Sequence, residues 1–243
     1  MPRANRYFVP EKLYHLTHRC HDRQFLFKFA RERDRYRHLA WSSLKAFPIS
    51  VFAYCVTSNH THFLVRSESG KAVSQWIQQL DGEFAQAYNR RKDRSGAFWS
   101  DRYHCTMIED GPHLWNCMVY IDLNMVRAGV VSHPAQGPSC SYSEWAGLRR
   151  RYTVVDQPAS LEWLGGVSLG EFRTNYEAAI QMRIAKGQMA REPRWTESIA
   201  VGSRAFVEEI AQTMTHRRQL EYQPTGEGAW ALRDAARDAA RIP

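Results

Sequence analysis

VFAYCVTSNHTHFLV, residues 51–65, holds two short apolar runs, 51–56 and 60–65, separated by the three-residue turn TSN. Two runs of strand length around a short polar turn are a hairpin signal. The second run opens with His60 and His62. In a strand, residues i and i+2 share one face, so both imidazoles point the same way. Two neutral imidazoles on a rigid strand make half of a divalent-metal site. A bare His-x-His is also what a satisfied polar pair at a sheet end looks like, and burying such a pair without partners would be costly. The sequence on either side has to decide between the two.

Toward the N-terminus, LYHLTHR at 13–19 reads as a first strand. From Ala30 the pattern changes: Tyr36, Leu39, Ala40, Leu44 and Phe47 recur at helical spacing, and Phe47-Pro48 stops the helix. Toward the C-terminus, Val73, Trp76, Ile77, Leu80, Phe84 and Tyr88 mark a second amphipathic helix. It exits into the basic loop NRRKDRSG at 89–96, which carries Arg90 and Arg91. A fourth strand is expected over RYHCTMIE, 102–109, with Arg102 at its start. The order β-α-β-β-α-β is the split, ferredoxin-like arrangement of an antiparallel α+β sheet. Its first and third strands are central, so the histidines fall mid-sheet. Two helices cover one face, and the opposite face is expected to be free for a site.

A third helix is expected from Pro112, a good first-turn residue, to a stop at Gly129. On it His113, Asn116, Tyr120, Asn124 and Arg127 form one polar stripe at spacings of three and four, among apolar neighbours. A solvated helix face usually carries Lys and Glu, whereas this one carries Asn, Tyr and Asn. At i and i+4 the Tyr120 phenol and the Asn124 amide lie side by side. An amide oxygen there could complete the ligand set of an ion held by His60 and His62. An ion so placed would polarise a phosphodiester oxygen, and a tyrosine beside its charge would supply the nucleophile as a favoured phenolate.

These residues carry a family resemblance. FAYCVTSNHTHFLV looks like the HUH motif of the single-tyrosine HUH transposases, and YIDLNMVRAG at 120–129 resembles their tyrosine helix, Y-x-x-x-N-P-V-R-A. The similarity takes in YHLTHR and GAFWSDRYHC and spans roughly residues 7 to 145. It is closest to the REP-associated tyrosine transposases, whose downstream extensions IAVGSRAFVEEI and AWALRDAA also resemble. The resemblance implies that His60, His62 and Asn124 hold a divalent metal, Mg2+ or Mn2+. It further implies that Tyr120 attacks single-stranded DNA near hairpin elements, leaving a 5′-phosphotyrosine link and a free 3′-OH. Met125 stands where the family often has proline, which leaves the phenol and the amide in place. His18, Cys20 and His21 also depart from the commoner pattern and read as structural or nucleic-acid-facing rather than as a second metal site.

Composition is consistent with such a partner. The chain has 243 residues and a formal net charge of +8, and its 33 Lys and Arg are mixed with 8 Trp and 11 Tyr, as base stacking and phosphate contact require. Arg127, Arg102, Arg90 and Arg91 are candidate DNA contacts. Five cysteines without a CxxC pair build neither a disulfide framework nor a zinc ribbon. No apolar run is long enough for a membrane helix, and a cytoplasmic protein without membrane contact is expected. The length suits a catalytic domain over 1–149 and a mostly helical extension over 150–243, with helices around 170–190, 203–215 and 229–240 and a candidate DNA-binding role. A non-catalytic nucleic-acid binder on the same fold, or a host-retained repressor, would keep many of these features. The sequence leaves monomer or homodimer open.

Overall fold

The computed structural model describes residues 8–214, 219–226 and 228–235. Its first half runs β1 (Leu13–Arg19), α1 (Ala30–Leu44), β2 (Ser50–Val56), β3 (His60–Arg66), α2 (Gly70–Arg91) and β4 (His104–Ile108). β2 and β3 pair antiparallel as the expected hairpin, with a register shift between Val51 and Ala53. β1 lies between β3 and β4, antiparallel to both, which is the ferredoxin-like order. α2 continues through Arg90 and Arg91, so these two belong to its last turn and not to the loop after it.

Strand alternation divides the sheet into two faces. On one, Phe63 of β3 meets Trp76 of α2 at 5.2 Å between ring centroids and Tyr36 of α1 at 6.2 Å. Phe27, Phe84 and Phe98 extend this aromatic core. Each such buried ring contributes roughly 1.5–3 kcal/mol, which is why the period-3.6 stripes of α1 and α2 settle here. His15, Thr17, His60 and His62 share the other face, since Thr17 is opposite His62 and Arg19 is opposite His60.

That second face is covered, contrary to the expectation of a free surface. The remaining elements are α3 (Pro112–Asp122), α4 (Asn124–Arg127), α5 (Tyr142–Trp145), α6 (Gln157–Trp163), α7 (Leu169–Ala185), α8 (Arg194–Glu197), β5 (Ala200–Gly202), α9 (Arg204–Thr213), β6 (Leu220–Gly226) and β7 (Ala229–Asp234). α3 packs on β2 and β3, and α8 packs on β4 and β1. The apolar residues of α3 need a partner, and the sheet supplies it: Leu114, Cys117, Met118 and Ile121 are all buried.

The extension is helical over α6 to α9, yet it also lengthens the sheet. β5 adds parallel to β4, and β7 and β6 follow in the order β2-β3-β1-β4-β5-β7-β6. The segment expected as a helix over 229–240 is instead strand β7 up to Asp234, and 236–243 lie outside the described residues. Ala and Leu favour helix there, but the open edge of β5 offers backbone partners that decide the outcome. No helix among the described residues is long and apolar enough to cross a membrane.

Candidate active site

The expected third helix is divided at Leu123, whose ψ of 1° leaves the helical range between α3 and α4. It starts where expected: Gly111 adopts φ 61°, a conformation that suits glycine, and Pro112 takes the first helical position. Gly129, at φ 66°, ends α4 with its amide bonded to the Val126 carbonyl at 2.9 Å. The polar stripe splits in use. His113 pairs with Glu109 at 3.3 Å, and the Asn116 side-chain oxygen accepts from Arg183 of α7 at 2.9 Å. Tyr120, Asn124 and Arg127 turn toward the sheet.

There they meet the two histidines. The Asn124 amide nitrogen lies 2.8 Å from His62 Nε2, and the rings of His60 and His62 are 4.8 Å apart. The Tyr120 ring centroid is 6.2 Å from that of His62. Each histidine has its Nδ1 engaged elsewhere. His60 Nδ1 faces the Asn59 side-chain oxygen at 2.7 Å, and His62 Nδ1 faces His15 Nε2 at 2.9 Å. With Nδ1 so engaged, Nε2 is the ring nitrogen left to face an ion, and that of His62 faces the Asn124 amide.

Electrostatics favour neutral ligands. Burial, then the nearby Arg19 guanidinium, holds His60 down at about 3. Burial, then His60 and His15, puts His62 well below its ordinary value, and burial keeps His15 at about 4. Among the described residues no three His, Cys, Asp or Glu side chains gather as a ligand set. Two neutral imidazoles and one amide, a nitrogen and oxygen set, are what the fold places together, and they fit a divalent ion of intermediate hardness.

Tyr120 is 3% exposed, and its phenol is raised above the ordinary value because burial outweighs the attraction of Arg127 and Arg191. The protein's own groups thus favour the neutral phenol, and the phenolate expected from the sequence rests on the charge of a bound ion. Arg127 stacks over the Tyr120 ring at 3.8 Å and donates to the Tyr120 carbonyl at 2.7 Å. Arg91 is committed to an ion pair with the buried Glu32 at 2.6 Å, while Arg90 and Arg102 are exposed and stand apart from the histidines in sequence and element. His18 bonds Asp81 at 2.6 Å and stacks on Trp99, which suits a structural role.

Four site neighbours escaped the sequence reading: His15, Arg19, Arg191 and Trp195. His15 and Arg19 share the face of β1 that carries Thr17, and strand alternation through LYHLTHR was the signal that could have found them. Arg191 and Trp195 come from the extension, where no local pattern points to the sheet.

Comparison with known proteins bears on this arrangement. Residues 9–124 match the family of IS200-like transposases. The matched run contains the histidine pair, Tyr120 and Asn124, so the IS200-like match covers the whole motif from β1 to its last residue. The resemblance read from the sequence is borne out. A solved REP-associated tyrosine transposase bound to a REP hairpin shares the fold, with a TM-score of 0.52 at 19% identity, over 64% of this chain and 94% of that one. The curated proteins gave no match.

Proposed function

We propose that this protein is a metal-dependent single-stranded DNA endonuclease and strand transferase, a transposase that nicks near hairpins. The observation that carries the proposal is that His62 stands 4.8 Å from the His60 ring, 6.2 Å from the Tyr120 ring and, through Nε2, 2.8 Å from the Asn124 amide nitrogen. His60, His62 and Asn124 would hold Mg2+ or Mn2+, which when bound polarises a non-bridging phosphate oxygen and lowers the cost of a phenolate nearby. Tyr120 Oη attacks the phosphorus, the bond to the 3′ oxygen breaks, and the products are a 5′-phosphotyrosine and a free 3′-OH. The phenol gives up one proton and the 3′ oxygen gains one. Because the covalent link conserves the phosphodiester bond energy, rejoining needs no ATP.

Arg127, stacked on the tyrosine ring, would offer its guanidinium to the charge of an incoming phosphate. Hairpin DNA as partner is supported by the hairpin in the solved relative, and the net charge of +8 agrees. Residues 1–149 act as the catalytic domain and 150–243 as an extension that contacts DNA, in a cytoplasmic protein.

The test is incubation of the full chain with labelled single strands carrying a hairpin, with Mn2+ or with chelator, followed by a denaturing gel. A metal-dependent covalent adduct that Tyr120→Phe abolishes is expected. Binding without any adduct would assign the protein to non-catalytic nucleic-acid recognition.

A further inference from the structure

We propose that His15 is a positioning residue that fixes the tautomer of His62, and that the extension sets it through the backbone carbonyl of Trp195. The inference rests on the reading of His60, His62 and Asn124 as a metal site. Three contacts form one chain: His15 Nδ1 lies 2.8 Å from the Trp195 carbonyl oxygen, His15 Nε2 lies 2.9 Å from His62 Nδ1, and His62 Nε2 lies 2.8 Å from the Asn124 amide nitrogen. The His15 and His62 rings are within 17° of parallel, which aligns their nitrogens along the chain.

A carbonyl only accepts, so the proton of neutral His15 must sit on Nδ1. His15 Nε2 then carries a lone pair and accepts. His62 must donate to it from Nδ1, which leaves the lone pair of His62 on Nε2, facing the site. The reverse assignment would set the His15 Nδ1 lone pair against the carbonyl lone pairs in a fully buried place, where an unmade hydrogen bond is costly. A metal can bind an imidazole only through a nitrogen without a proton, and the partner of the other nitrogen selects which one that is.

The carbonyl is held for this use. α8 stops at Glu197, and the Ile199 amide, which would take the Trp195 carbonyl in a longer helix, bonds the Leu232 carbonyl of β7 at 2.7 Å. The indole of Trp195 is buried, donates to Glu192 at 3.0 Å and packs against Tyr120 with 6.0 Å between centroids. The extension, which carries none of the motif residues, thereby orders the catalytic face.

The experiment uses full-length protein with 15N-labelled histidine. In metal-free wild type, His15 and His62 should both carry the proton on Nδ1, read from long-range proton–nitrogen correlations. Mn2+ affinity is then measured by electron paramagnetic resonance. His15→Leu should weaken it about 10- to 100-fold, while His15→Gln, which restores an acceptor, should recover most of the loss. A His62 proton on Nε2 in wild type overturns the inference, and that measurement needs no variant to fold. Wild type that binds Mn2+ alongside a His15→Leu that binds it equally well overturns the inference alone. Wild type with the stated tautomers but no Mn2+ binding overturns the metal-site reading, and the role of His15 with it.

Discussion

Asp122→Asn isolates a buried charge beside the candidate nucleophile. Asp122 ends α3, two residues from Tyr120 but on its other side, and is fully buried. Its oxygens accept from the Ser141 hydroxyl at 2.6 Å and from the Tyr176 hydroxyl at 2.8 Å, and no cation pairs with it in these contacts. Burial raises its pKa from 3.8 to about 7, against those hydrogen bonds. A raised carboxyl binds its proton more tightly folded than unfolded, so its contribution to stability is greatest at low pH and is lost as pH rises through about 7. Between about pH 5 and about pH 8 that loss amounts to roughly 2 to 3 kcal/mol for a fully buried group. Asparagine does not titrate. Denaturant unfolding of both proteins at both pH values should therefore show the variant gaining roughly 2 to 3 kcal/mol relative to wild type on going to the higher pH. Any constant cost of the amide cancels in this difference. An unchanged difference between the two pH values would show that Asp122 is not held protonated by its surroundings.

The site and its cover make further predictions. His60→Ala, His62→Ala and Asn124→Ala should each weaken Mn2+ affinity and adduct formation while the fold is retained, with excess Mn2+ giving Asn124→Ala partial rescue; normal metal dependence in folded Asn124→Ala would remove the amide from the ligand set. Trp195→Ala should cost roughly 3–5 kcal/mol, read from the denaturation midpoint and slope, because the indole is buried against Tyr120 and bonded to Glu192. A cost under about 1 kcal/mol would mean that the extension does not pack on the catalytic face.

The sequence made the first four strands and two helices legible by different marks, the strands as short apolar runs because both their faces are buried, and the helices as a stripe because only one face is. VFAYCV and HTHFLV show strand runs around a turn, and Trp76, Leu80 and Phe84 show the helical stripe. His60, His62, Tyr120 and Asn124 were legible as types at spacings, and the fold brings them together. Alternation through LYHLTHR puts His15 on the face of Thr17, but nothing local separates a buried spacer from a partner of His62. Only the register of β1 against β3, together with a carbonyl 180 residues away, gives it a direction. β7 was misread because Ala229–Asp234 favours helix locally and its strand partners, β5 and β6, are set by tertiary pairing. The depressed acidity of Tyr120 likewise follows from burial against Trp195 of α8, which outweighs the pull of Arg127 and which spacing along one helix does not encode.

In the proposed reaction the Tyr120 phenolic oxygen is the nucleophile that cleaves DNA. The most direct test is to form the adduct on a hairpin-bearing single strand with Mn2+, digest the protein, and locate the nucleotide by mass spectrometry. The nucleotide should sit on Tyr120, joined through its 5′ phosphate, with a 3′-OH on the released strand. An adduct on any other residue, or a 3′-phosphate link, would rule out Tyr120 as the nucleophile of this reaction.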